Sequence, residues 1–71
     1  MDKETIIKNF STNIRVERVR KKLKQEKLAE MADITPEYLA RIEAGKYNPS
    51  LAVVVNLAEA LEISIDKLIL P

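Results

Sequence analysis

Apolar residues recur at helical spacing in five segments of this chain, and the stretches between them are short. The first segment begins near Glu4 or near Ser11 and runs to Lys22, with Ile7, Phe10 and Ile14 on one side and either Thr5 or Ser11 as its cap. The second spans roughly Gln25 to Ala32; Leu28, Ala29 and Met31 are its apolar positions, and Asp33 follows as a residue that tolerates a corner. The third is the best defined. Thr35 can accept hydrogen bonds from first-turn amides, and Pro36 occupies the first helical position, where a missing N–H costs nothing. That helix is expected to reach Ala44, after which Gly45 stops it in the left-handed conformation and Lys46 to Pro49 form a loop. Ser50 then caps a fourth helix whose buried stripe is Leu51, Val54, Leu57, Ala58 and Leu61. A last turn or two from Ser64 brings Ile65, Leu68 and Ile69 onto the core, and Pro71 ends it. The pattern predicts an all-α, compact five-helix bundle. Its expected shared core is Phe10, Ile14, Leu28, Ala29, Ile34, Leu39, Ile42, Leu51, Val54, Leu57, Leu61 and Leu68.

Length changes this picture only by limiting it: 71 residues supply one core, so residues 1–71 are read as a single domain with a short N-terminal extension, residues 1–9. With Cys 0 and His 0, neither disulfides nor the usual metal ligands are on hand, and packed helices must supply the stability. Scarce Gly and Pro, with few aromatics, favour helices over a turn-rich β fold. No stretch has the make-up of a signal peptide or a membrane span, so a cytoplasmic location is expected. The same inventory argues against an enzyme: no paired-carboxylate, phosphate-loop or nucleophile motif is visible. No metal, cofactor, small-molecule ligand or membrane partner is expected.

Charge is more informative in its distribution than in its sum. The formal net charge is +1, a weak lure for a polyanion. Yet Lys8, Arg15, Arg18, Arg20, Lys21, Lys22, Lys24 and Lys27 fall early, and the later segments are mildly acidic. Such a run is either a solvated helix face or an electrostatic footprint.

The second and third segments are separated only by Asp33, Ile34 and Thr35, a connection that suits a sharp, near-perpendicular corner better than an antiparallel hairpin. A corner of that kind needs a small residue at the closest approach, an apolar plug in the turn, and apolar residues inside the second helix. Ala29, Ile34, and Leu39 with Ile42 fill those places. Similar corners also occur in bundles that bind nothing.

From Phe10 to Leu70 the chain resembles the Cro and cI-type repressors, the Xre family. The stretch NIRVERVRKKLKQEKLAEMADITPEYLARIEAGKYNPSL and the later LAEALEISIDKL carry the likeness. Its landmarks are Arg18, Gln25, the pair Leu28-Ala29, Ile42-Glu43 followed by Gly45, and Asn48-Pro49-Ser50. The resemblance implies a lambda-repressor-like DNA-binding domain whose third helix is the recognition helix. Gln25 then matches a glutamine that clamps a DNA phosphate, or is simply a polar first-turn residue. Pro36, Glu37 and Arg41 match positions facing the major groove, which the helix enters N-terminus first. Arg41 is the implied base reader, because a guanidinium can pair with guanine O6 and N7; pairing with Glu37 one turn earlier is the competing reading. Tyr38 either reaches a phosphate through its hydroxyl or packs partly on the core. Lys46, Tyr47 and Asn48 sit where the family offers its loop to the DNA backbone, or form an ordinary polar loop. Arg18 and Glu43 match a partly buried ion pair joining the first and third helices.

Several positions depart from the family pattern. Pro36 and Glu37 replace amide-rich residues; Glu37 can accept from cytosine N4 and Pro36 can touch a thymine methyl, or both serve helix initiation. Lys22 stands at a customary glycine, Lys24 at a customary Ser or Thr cap, and Asp33 at a customary glycine corner. Proximity to phosphate would compensate the two lysines. The expected function is a sequence-specific DNA-binding transcriptional regulator, a repressor or restriction-modification controller bound to a palindromic double-stranded operator as a homodimer. An antitoxin-like or other protein-interaction module with weak or lost DNA binding is the alternative. For the dimer, Val53, Val55, Ile63 and Leu70 form the expected interface, against an ordinary surface with scattered apolar residues.

Overall fold

The computed structural model describes residues Met1–Pro71 and contains five helices and no strands: α1 (Lys3–Arg20), α2 (Gln25–Met31), α3 (Pro36–Glu43), α4 (Leu51–Leu61) and α5 (Ile65–Ile69). Three of the helix starts follow the capping logic of the sequence. Thr35, Ser50 and Ser64 accept hydrogen bonds from the amides of Tyr38, Val53 and Lys67. The start of α1 differs from both expected caps. Asp2 caps it, accepting from the Thr5 amide at 2.7 Å, and this bond holds the Asp2 carboxyl below its ordinary range. Thr5 is therefore a donor inside the first turn and Ser11 lies mid-helix, where its hydroxyl donates back to the Ile7 carbonyl at 2.8 Å. Residues 3–9, expected as an extension, continue α1 as its first turns.

The first four helices end in one way. Their closing residue adopts a left-handed backbone, at Lys22 (φ 59), Asp33 (φ 59), Gly45 (φ 73) and Glu62 (φ 57). Its amide and the next one reach back to the last turn: Lys22 to Val19 and Leu23 to Arg18, Asp33 to Glu30 and Ile34 to Ala29, Gly45 to Ile42 and Lys46 to Arg41, Glu62 to Glu59 and Ile63 to Ala58. In three of the four, the following residue is apolar and packs on the core: Leu23, Ile34 and Ile63. These closures permit the short corners. Only one of the four positions is glycine.

The core comprises Phe10, Ile14, Leu28, Ala29, Ala32, Leu39, Ile42, Leu57, Ala58, Leu61 and Leu68. Ile34 and Val54, expected inside, are half-buried against it. Leu51 is a correction: it is 75% exposed. As the first residue of α4 its side chain leans toward the helix start, over the Pro49–Ser50 connection and away from the stripe. Met31 and Ile65 are likewise exposed, and Ala32, which closes α2, is buried in the core instead. Asn9 and Asn13 of α1 secure α5 to the bundle by donating to the carbonyls of Ile69, Leu68 and Leu70. No helix is long and apolar enough to cross a membrane.

Ala29 is fully buried where α2 meets α3. Ala29→Leu is expected to wedge the two apart, lowering stability by about 1–3 kcal/mol in thermal melts. Closure chemistry gives changes of opposite sign. Lys22→Gly and Glu62→Gly should each stabilise by about 0.5–1 kcal/mol, because glycine removes the left-handed strain. Gly45→Ala should cost about 1 kcal/mol; a Cβ there would meet only the Ser11 hydroxyl at 3.6 Å, so the penalty is conformational, not steric.

Candidate nucleic-acid interface

Glu43, near the end of α3, is buried, and its carboxylate takes three hydrogen bonds. Arg18 of α1 donates through Nε at 2.7 Å and Nη2 at 3.1 Å, and Gln25 of α2 donates through Nε2 at 3.1 Å. The remaining Arg18 nitrogen, Nη1, donates to the Leu23 carbonyl at 2.8 Å. The parallel Nε–Nη2 pair matches a carboxylate's two oxygens, a planar fit that only arginine makes. Arg18 and Glu43 thus form the ion pair that the resemblance implied. Gln25 has a role the sequence did not disclose: it stands at the first position of α2, half-buried, with one amide hydrogen committed to Glu43 and its carbonyl oxygen uncommitted.

The outer side of α3 carries Pro36, Glu37 and Arg41, all exposed. Arg41 does not pair with Glu37. Its Nη1 donates to the Tyr47 hydroxyl at 2.8 Å, with the guanidinium carbon 5.6 Å from the Tyr47 ring centre. Tyr47 meets Tyr38 edge to face, their centroids 5.3 Å apart. Tyr38 is half-buried and packs against the core. Thr35, Glu37, Tyr38, Arg41, Tyr47 and Asn48 line one shallow depression, and Lys46 adjoins it across Ala44 and Tyr47.

A second depression lies beside the α2 start. Lys22, Lys24 and Lys27 line it with Leu23, Glu26, Glu30, Ile34 and Pro36. Lys24 provides no side-chain cap for α2, so the first-turn amides meet solvent. Lys27 pairs with Glu30 at 3.1 Å, but both side chains are largely exposed, so the pair contributes little. Lys22 and Lys24 make no ion pair.

The four residues expected at a dimer surface separate into two groups. Val53 and Ile63 are half-buried against the chain's own core, whereas Val55 is half-buried and Leu70 is 47% exposed. Leu51, assigned from sequence to the interior, is the largest apolar side chain bared on α4. Position 51 opens the helix and the stripe ends before it, which periodicity alone does not reveal. Likewise, nothing local in the sequence links Tyr47 to Arg41, because the contact crosses the Gly45 turn.

Comparison with known proteins bears on this geometry. Residues 14–68 match a helix-turn-helix family. The immunity repressor protein of Bacillus phage phi105 is 42% identical over 57 residues, covering 78% of the chain and 40% of that repressor; the chain thus spans about two fifths of its relative's length. The restriction-modification controller protein C.AhdI from Aeromonas hydrophila superposes with a TM-score of 0.84 at 34% identity, over 87% of this chain and 94% of its own. A hypothetical transcription factor, NHTF, from Neisseria superposes at 0.90 with 28% identity, over 100% of this chain and 82% of that one.

Truncating Glu43 to alanine would leave the Arg18 guanidinium and Gln25 without their acceptor in a site where Arg18 is 14% exposed. The expected loss is about 3 kcal/mol or more, measured by urea unfolding. Arg18→Lys should recover only part of an Arg18→Ala loss, because an ammonium cannot span both carboxylate oxygens.

Proposed function

The chain belongs to the Xre-type helix-turn-helix family, and from that membership we propose that it is a sequence-specific transcriptional regulator that binds a palindromic operator as a symmetric homodimer. The observation that carries the reading is the fixed corner of α2 and α3. Leu39, Ile42 and Glu43 turn one side of α3 inward, and Pro36, Glu37 and Arg41 are exposed on the other. On this reading α3 enters the major groove by its N-terminal end, and Arg41 addresses a base edge. Gln25, Lys22 and Lys24 face one flanking phosphate strand, and Lys46 and Asn48 the other, with Tyr47 between them and Arg41. Pro36 and Glu37 lie at the leading end of α3, where their contacts are to pyrimidine edges. The repressor and controller names of the relatives support the regulatory part of the reading.

Dimensions support the dimer. The body measures 30 × 21 × 19 Å, less than the roughly 34 Å of one DNA turn, so a single copy reads only part of one groove face. Two copies related by a twofold axis can present α3 to successive major grooves. The outward face of α4 supplies an apolar surface for that contact, with Leu51, Ala52 and Val55 at its start and Glu59 beyond. We place the interface there with Leu70, and leave Val53 and Ile63 as residues that brace it from the core side.

Two measurements test this. Affinity for an operator selected from random duplexes should fall steeply with salt; Lys22→Ala and Lys24→Ala should each flatten the log–log slope by about one unit without altering base preference. A stoichiometric protein partner with no salt-sensitive DNA complex would instead favour an interaction module. In sedimentation at micromolar concentration, the parent should be dimeric and Leu51→Asp a folded monomer, whose melting temperature, unlike the parent's, does not depend on concentration. A parent that stays monomeric both free and on its operator is incompatible with the dimer.

A further inference from the structure

The two arginines on the inner and outer sides of the corner are held in the same manner. Arg18 gives Nη1 to a nearby oxygen, the Leu23 carbonyl, and turns its Nε–Nη2 edge onto the planar pair of acceptors offered by Glu43. Arg41 also gives Nη1 to a nearby oxygen, the Tyr47 hydroxyl at 2.8 Å. Its Nε–Nη2 edge holds no acceptor. Tyr47 is itself fixed, because its ring meets Tyr38 edge to face at 5.3 Å and Tyr38 packs on the core. A chain of contacts therefore runs from the hydrophobic core through two tyrosines to one guanidinium.

We propose that Tyr47 determines the specificity of Arg41: its hydroxyl anchors Nη1, so that the free Nε–Nη2 edge is presented to the O6 and N7 acceptors of a single guanine. This rests on the reading of α3 as a DNA-recognition helix. A bidentate guanine contact requires both nitrogens of one edge in the base plane, and a long side chain loses that alignment readily. Glu37, one turn back on the same helix, offers the competing planar acceptor. The Tyr47 anchor holds Arg41 away from it, and no ion pair joins the two. Tyr47 thus acts as a positioning residue through Arg41.

The test uses the duplex that the parent enriches from a random pool, together with every single-base replacement of it, titrated at several salt concentrations. The parent should require guanine at one position in each half-site, and Arg41→Ala should abolish that requirement. Tyr47→Phe, which keeps the ring and its contact with Tyr38, should weaken the preference for guanine at that position alone by roughly three- to tenfold. The salt slope and the melting curve should match the parent's. Combined with Arg41→Ala, Tyr47→Phe should have no further effect at that position. Undiminished guanine preference in Tyr47→Phe overturns the proposal. So does an equal loss on all duplexes, which would make Tyr47 a contact to the phosphate backbone; its hydroxyl is neutral, so the salt slope would stay as it is. A parent that enriches no sequence overturns the regulator reading itself, and the proposal with it; a parent that enriches a site yet shows either of the former results overturns only the role of Tyr47.

Discussion

Glu43 is the acceptor around which the first three helices are arranged. Its carboxylate is buried, and the groups that neutralise and solvate it come from elsewhere: the guanidinium from α1 and an amide from the start of α2. A buried ion pair of this kind adds little to stability compared with a well-packed apolar substitute. Its value is directional. Two parallel hydrogen bonds to one carboxylate define both distance and rotation, so α3 cannot turn about its axis without breaking them. The Arg18 bond to the Leu23 carbonyl extends the constraint to the connection between α1 and α2. One side chain therefore ties the end of α1, the entry to α2 and the end of α3.

The left-handed closures act at the next level. They let helices follow one another with a few intervening residues, and after three of the four stops they deliver an apolar residue, Leu23, Ile34 or Ile63, onto the core. Glycine is the residue best suited to such a backbone, but Lys22, Asp33 and Glu62 occupy three of the four sites. Each carries strain of about a kcal/mol that the surrounding hydrogen bonds and the apolar residue after it must outweigh. Lys22 lies in the lysine-lined depression beside Pro36, whereas Asp33 and Glu62 share an acidic one with Glu59 at the opposite end of α2. Placing polar residues at these stops segregates the charge of a nearly neutral chain. The net charge of +1 consequently says little about the field at any one face.

Much of this was legible from residue spacing. Thr35-Pro36 and Gly45 bounded α3 correctly, Ser50 and Ser64 marked the next two helix starts, and Ala29 is buried as the short corner led one to expect. The misreadings share a cause, which is that periodicity describes a helix but not where its neighbours end. Leu51 fits the stripe of α4 and projects beyond it. At α1 the competing caps Thr5 and Ser11 were plausible by type, and Asp2 prevails because helical spacing continues back through Ile7 to Lys3. Contacts across turns lay beyond reach for a different reason. Gln25 with Glu43 and Arg41 with Tyr47 depend on how α3 is rotated, a property of the assembled corner.

That rotation connects packing to the proposed recognition. Successive residues of a helix are about 100° apart, so Arg41 lies roughly 200° around α3 from Glu43. Fixing Glu43 inward with two bonds therefore aims Arg41 outward, and Leu39 with Ile42 removes the remaining freedom by complete burial. Helix rotation alone places the Arg41 backbone, not its guanidinium, which several rotatable bonds separate from the axis. The Tyr38–Tyr47 pair supplies the second reference point, at the far end of the side chain. On the proposed reading, an arginine held at its root by the core and at its tip by a hydroxyl has fewer conformations to lose on meeting a base edge than a free one. Part of the ordering entropy of the proposed contact would then be met in folding, and binding would add the displacement of water from one open pair of N–H donors.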